Sequence, residues 1–352
     1  ANTITTLDSS GDVGRYTSVT IGADGLGLIS YLDVTNNDLK VAHCSDAACS
    51  SAATATLDSD GDVGMYTSVT IGADGLGLIS YYDSTNNDLK VAHCSDAACS
   101  SATITILDSI GNVGWYSSVT IGADGLGLIS YKDSTNGDLK AAHCSDAACS
   151  SATTTTLDSI GDVGRFTSVT IGADGLGLIS YYDNTNGDLK VAHCSDAACS
   201  SAAITILDSS GWVHGHTSVT IGADGLGLIS YLHFTDLKVA HCSDAACSSA
   251  TLTKLDSTVS VQHTSATIGA DGLGLISYRG DNNDLKVAHC SDAACSSAAI
   301  TTLDSDVNVG WYTSVTIGAD GLGLISYYDN WWEDLKVAHC DNLFCTPYFR
   351  RR

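Results

Sequence analysis

Apolar and polar positions alternate with a period of two in short bursts, each ended by turn residues. Ser18 to Tyr31 reads SVTIGADGLGLISY, two β-branched or apolar runs joined at Ala23-Asp24-Gly25, a hairpin turn of the Asp-Gly kind. The pattern predicts strand a near Thr17–Gly22 and strand b near Leu26–Tyr31. A loop with Asn36-Asn37-Asp38 leads to strand c, Leu39–Cys44, and Ser45-Asp46-Ala47-Ala48 turns the chain into strand d, Ala53–Leu57. Asp58–Gly64 then crosses to a new copy. Apolar residues occupy both faces of these strands, as expected of sheets packed between neighbouring sheets.

The same string restarts at Ser68, Ser118, Ser168, Ser218 and Ser314, and at Ser265 with Ala266 as its one change. Measured between first cysteines the period is 50 residues, with 48 on the steps to Cys242 and Cys290. A strand-rich period of this length belongs to β-propellers with four strands per blade. The ends carry an offset: Ala1–Asp8 matches strand d, whereas the last copy supplies strands a, b and c and stops after Cys345. The expectation is an all-β, seven-bladed propeller over residues 1–345, closed by the N-terminal strand completing blade seven. Residues 346–352 are left as a tail.

Cysteine changes the picture by adding staples. All 14 cysteines fall in C-x4-C pairs: Cys44/Cys49, Cys94/Cys99, Cys144/Cys149, Cys194/Cys199, Cys242/Cys247, Cys290/Cys295 and Cys340/Cys345. One fixed local frame reads as a disulfide framework and so as an oxidising, extracellular setting. Zinc would need four converging ligands, and a c-type haem would need C-x-x-C-H; neither pattern is met. The net charge of −25, with 15 Lys and Arg, argues against nucleic acid and anionic membrane as partners. No apolar run approaches the length of a membrane span. The chain opens on a polar, Thr-rich stretch, and an export signal is expected to have been removed from it.

The run TSVTIGADGLGLISYYD, with NNDLKVAHC and a Thr-rich strand ending LDS-x-GDVG, resembles the repeats of bacterial extracellular propeller proteins, over essentially the whole chain to Cys345. The resemblance implies a fold and a surface location but no single activity.

Candidate chemistry is sparse. GADG is like the Asp-box of sialidases, but here the Asp-Gly turn joins strands a and b rather than c and d. The chain has one glutamate, Glu333, and only Arg15, Arg165 and Arg279 outside the tail, so neither a glycosidase carboxylate pair nor an arginine cluster is expected. No enzyme activity, cofactor or metal is expected. His43, His93, His143, His193, His241, His289 and His339 recur one per blade on strand c, too far apart for one ion, and are expected to be buried and hydrogen-bonded within their blades. Asp58, Asp60 and Asp62 form DSDGD without the Gly and Glu of an EF-type loop, and are expected to be solvated turn residues.

Variation concentrates on one face. The a–b turns and disulfide turns share a nearly uniform face. The b–c and d–a loops share the other, with Arg15-Tyr16, Met65-Tyr66, Trp115-Tyr116, Arg165-Phe166, His214-Gly215-His216, Gln262-His263 and Trp311-Tyr312. Exposed aromatic residues are expected there, with Trp115, Trp311, Trp331 and Trp332 as a ligand or partner face. The tail ends in Tyr348, Phe349, Arg350, Arg351 and Arg352. It is expected to mediate self-association into an extracellular assembly or filament, a structural or adhesive role. The alternative is a lectin-like module that stacks glycans on the aromatic face.

Overall fold

The computed structural model describes residues 2–211, 213–257 and 261–346. The five tail residues expected to drive assembly, Tyr348 to Arg352, lie outside the described residues. Twenty-eight strands, β1 to β28 in chain order, form seven antiparallel sheets of four. Blade one is β2 (Val13–Ile21), β3 (Gly27–Asp33), β4 (Asp38–Cys44) and β5 (Ala52–Asp58), as strands a to d. Blade seven is β26 (Trp311–Ile317), β27 (Gly323–Asp329), β28 (Asp334–His339) and, outermost, β1 (Thr3–Asp8). The ring thus closes through pairs such as Thr3↔His339 and Thr5↔Val337. Asn2 adds a clasp: its Nδ2 donates to Cys345 O at 2.8 Å, and its Oδ1 accepts from Asp341 N at 3.1 Å.

Strand a starts earlier than the alternation predicts, at Val13, because two irregularities interrupt its pairing between Val13 and Ser18. Tyr16 sits there at φ 54°, a left-handed backbone that breaks the period of two and hides the strand's first half from pattern reading.

Seven equivalent apolar clusters fill the gaps between blades. Val63, Val69, Ile79 and Tyr81 of blade two, for example, pack on Leu28, Leu39 and Val41 of blade one. The repeated Thr-Ser-Val adds polar stitching across the same gaps. Thr17 Oγ1 donates to Ser326 Oγ at 2.8 Å, and the pattern continues around the ring to Thr313 Oγ1 and Ser277 Oγ at 2.8 Å. The next serine accepts a backbone N–H from the following blade, as Ser18 Oγ does from Val69 N at 3.1 Å. Each bond is worth about 1 kcal/mol net, so the repetition matters more than any member.

All seven C-x4-C pairs are disulfides: Cys44–Cys49, Cys94–Cys99, Cys144–Cys149, Cys194–Cys199, Cys242–Cys247, Cys290–Cys295 and Cys340–Cys345. No cysteine among the described residues is free. Each bridge clamps the c–d turn, for about 2 kcal/mol in the chain-entropy picture. They point to a non-reducing, extracellular environment.

The second cysteine of each pair sits outside the strands. Strand d starts at Ala52, one residue before the expected Ala53, and the turn fills the stretch between it and Cys44. Cys49, Cys99, Cys149, Cys199, Cys247 and Cys295 therefore belong to neither strand c nor strand d. Each takes a left-handed backbone, with φ between 51° and 53°, and each is fully buried. The physical reason lies in the turn: Cys49 N donates to Asp46 O at 3.0 Å, and the positive φ then reverses the chain toward strand d. The sulfurs join the apolar clusters between blades instead of lining the turn surface. Gly27 makes the room, since a Cβ there would stand 2.8 Å from Cys44 Sγ.

Of the three aspartates expected in a solvated turn, Asp58 needs correction, whereas Asp60 is exposed. Asp58 is buried: it accepts from Tyr81 Oη at 2.6 Å and from Lys90 Nζ at 3.3 Å, both in the next blade. Asp8 does the same with Tyr31 at 2.7 Å and Lys40 at 2.6 Å. The last residue of strand d is therefore a buried bridge between blades. Its period in sequence gave no sign of this, because its partners lie 23 and 32 residues away.

Candidate functional site: the face of the b–c and d–a loops

The strand-c histidines are placed as expected, within single blades. His43 Nε2 meets Asp24 Oδ2 of its own a–b turn at 2.8 Å, and the arrangement recurs to His339 and Asp320 at 2.8 Å. Most are half-buried rather than fully so. Asp24 also caps its turn by accepting from Leu26 N at 3.0 Å. Among the described residues no group of three or more His, Cys, Asp or Glu side chains is arranged to hold a metal ion.

The opposite face is built differently from expectation. The aromatic residue before each Thr-Ser does not project into solvent. Left-handed backbone turns Tyr16, Tyr66, Tyr116, Phe166, His263 and Tyr312 onto the propeller axis, and Gly215 at φ 96° does so for His216. The seven rings form a closed circle with neighbouring centroids 4.2–4.7 Å apart. Interplanar angles of 42–58° are close to one-seventh of a full turn, so the rings stand like the leaves of an iris, each against the next. They and the hydroxyl layer beneath line an axial cavity of ≈ 140 Å³. Burial raises the Tyr66 phenol far above its ordinary value, and neighbouring Tyr16 and Tyr116 add to this. Burial lowers His216 to about 4 and His263 well below its ordinary value, so both imidazoles are neutral at pH 7. The signal for this ring was present in the sequence: one ring-bearing residue per repeat, always directly before Thr-Ser or Ser-Ser, on the innermost strand.

Around the iris, the varying residue of strand b in one blade meets the varying residue of strand a in the next. Tyr82 faces Trp115 with centroids 5.4 Å apart, and both bond Asn112 Oδ1, at 3.0 and 2.6 Å. The Arg279 guanidinium lies 4.3 Å from the Trp311 ring centroid, and Trp311 Nε1 donates to Asn308 Oδ1 at 2.9 Å. Tyr328 donates to Asp12 at 2.8 Å under Arg15, which pairs with Asp12 at 2.7 Å. Trp115 and Trp311 are thus half-buried partners between blades. Each arginine is engaged in its own slot, Arg165 by Asp162 at 2.7 Å, and the three form no cluster.

Among the described residues, Trp331 and Trp332 are the two indoles that do project, 62% and 67% exposed. Their setting is unusual. In blades one to four a threonine of the b–c loop accepts a backbone N–H of the d–a loop, as Thr85 Oγ1 does from Asp62 N at 2.7 Å. That contact requires a glycine opposite, because a Cβ at Gly61 would stand 2.6 Å from Thr85 Oγ1. In blade seven Trp331 stands at the threonine position and Val307 at the glycine position. A polar clamp is replaced by an apolar patch of Val307, Trp331 and Trp332, with Val307 63% exposed.

No family model and no curated protein sequence matches the chain. Its fold is similar to those of solved propellers. A protein of unknown function from Dyadobacter fermentans is 12% identical, with a TM-score of 0.60 and 96% of this chain and 97% of that one covered. A catalytically inactive virginiamycin B lyase from Staphylococcus aureus is 13% identical, with a TM-score of 0.64 and coverage of 96% and 99%. An ulvan lyase, a polysaccharide lyase, is 11% identical, with a TM-score of 0.61 and coverage of 93% and 94%. At these identities the likeness shows the seven-bladed propeller and nothing of the activity.

Proposed function

We propose that this chain is a non-catalytic, secreted adhesion propeller that captures carbohydrate on the face of its b–c and d–a loops. The observation that supports it is the paired exchange in blade seven. Two positions that hold each other in blades one to four have changed together, and the result exposes two adjacent indoles to water. Exposed apolar surface of this kind is unfavourable in a free monomer and marks a contact site. Asn330, Glu333 and Asp306 flank the patch in sequence, giving acceptors and an amide for sugar hydroxyls beside flat apolar faces. The Asp-Tyr-Lys sets, the most reactive-looking constellations in the chain, are buried between blades and repeat around the ring, which fits a structural role.

Glycan-array screening followed by calorimetry on the purified chain tests this. Trp331→Ala/Trp332→Ala should weaken binding by about 30-fold or more, the effect of truncating an aromatic anchor worth about 2 kcal/mol. Absence of glycan binding by the parent chain would sink the reading.

Self-association is the second reading. Leu343 and Phe344, 37% and 49% exposed in the disulfide turn of blade seven, break the uniformity of the opposite face and favour it. Sedimentation separates the two: concentration-dependent polymers that persist without glycan support assembly.

A further inference from the structure

Eleven histidines occur in the chain, and seven are the strand-c residues bonded to turn aspartates. The remaining four, His214, His216, His233 and His263, all come from blade five and the first strand of blade six. Two of them, His216 and His263, are adjacent leaves of the iris, where the other blades place Tyr or Phe. Their ring centroids are 4.2 Å apart and their planes 53° apart. His263 is 7% exposed, and its Nδ1 has no hydrogen-bond partner. An orphaned imidazole nitrogen at a buried site is costly, and none of the other leaves carries one among the described residues.

We propose that His216 and His263 form a binding site for a divalent first-row transition metal, copper(II) foremost, at the axis of the propeller.

Two side-by-side imidazoles splayed by about one-seventh of a turn converge on the axis, and an imidazole is shorter than a phenol. The pair therefore leaves room at the centre of the ≈ 140 Å³ cavity that all seven leaves line. That space admits water to complete the coordination of an ion held by two protein nitrogens. Two nitrogens with oxygen donors suit copper(II) best, and the general affinity order places it above nickel and zinc. The strand-c histidines compete poorly, because each is engaged by a carboxylate and they stand one per blade.

The full-length chain is incubated with CuCl2, desalted, and examined by metal analysis and electron paramagnetic resonance. The expected result is one copper per chain with hyperfine structure from two nitrogens, displaced poorly by ZnCl2. His216→Phe/His263→Tyr places in blades five and six the residues that occupy the same leaves as Phe166 and Tyr312, so the fold has a precedent for them. That variant should keep its melting temperature and lose the copper. Copper retained by the double variant at the parental stoichiometry overturns the proposal, as does a parent chain that emerges from desalting without copper.

Discussion

His216 shows how one side chain carries the consequences of a sevenfold design. The iris needs a flat ring at each leaf, and an imidazole meets the requirement only while neutral. An unfolded histidine takes up its proton as pH falls through about 6.5. The folded ring resists until about 4, because burial disfavours the charge. The stability that His216 contributes is therefore fully present above the unfolded value and is lost as pH drops toward the folded one. His216→Phe should remove this loss: the melting temperature of the variant relative to the parent should rise between pH 7 and pH 4.5. A constant difference across that range would show that the ring is solvated. The iris was half legible in the sequence. Seven ring-bearing residues at one repeat position were visible, but they read as exposed because the left-handed backbone at Tyr16 and its counterparts is a three-dimensional fact. Trp115 and Trp311 were misplaced for a related reason, since their partners Tyr82 and Arg279 belong to the preceding blade.

Between strands, the loops of blade seven form a natural double-mutant cycle. The polar clamp needs Thr and Gly together, and the apolar patch needs Trp and Val together. Trp331→Thr alone sets a hydroxyl against the Val307 side chain, where even a Cβ comes too close in blade two. It should destabilise. Val307→Gly alone loosens the loop and removes apolar surface without creating a bond. The combination should recover the clamp, with a coupling energy of about 1 kcal/mol in chemical denaturation, and should abolish glycan binding at the same time. Additive effects would mean that the two loops do not communicate. A gain in stability with loss of binding would fit an exposed patch kept for contact rather than for folding. Strand order, hairpin turns and the pairing of the cysteines were all readable from alternation and spacing. The inward, left-handed placement of Cys49 and its counterparts was not, because spacing fixes which sulfurs meet and not where the pair is buried. Nor was the clamp, because Thr85 and Gly61 are ordinary loop residues until their contact across the blade is seen.

For the whole molecule, closure is the step on which the rest depends. Six blades are continuous in sequence, and the seventh joins β26, β27 and β28 to β1, at the other end of the chain. The offset between the two ends made this legible in the sequence, since ANTITTLD matches strand d and the last copy lacks one. What the offset did not show is how much β1 carries besides backbone pairing. Its Asp8 receives Tyr31 and Lys40 of blade one, so β1 ties blade seven to blade one as well as completing its own sheet. Burial opposes ionisation of Asp8, yet hydrogen bonds from Lys40, Ser10 and Tyr31 outweigh it and hold the carboxyl below its ordinary value. Removing Ala1–Asp8 therefore strips an edge from β28 and leaves Lys40 with its longer contact to Asp33 at 3.8 Å, a defect smaller than the ~3–5 kcal/mol of a buried charge left unpaired. The truncated chain should melt well below the parent and aggregate through the bare β28 edge. A synthetic peptide spanning residues 1–8, added in excess, should restore much of the lost melting temperature, and the same peptide with Asp8→Asn should restore less. If truncation leaves the melting temperature unchanged, the ring does not depend on its N-terminal strand; if both peptides rescue equally, β1 acts through backbone pairing alone.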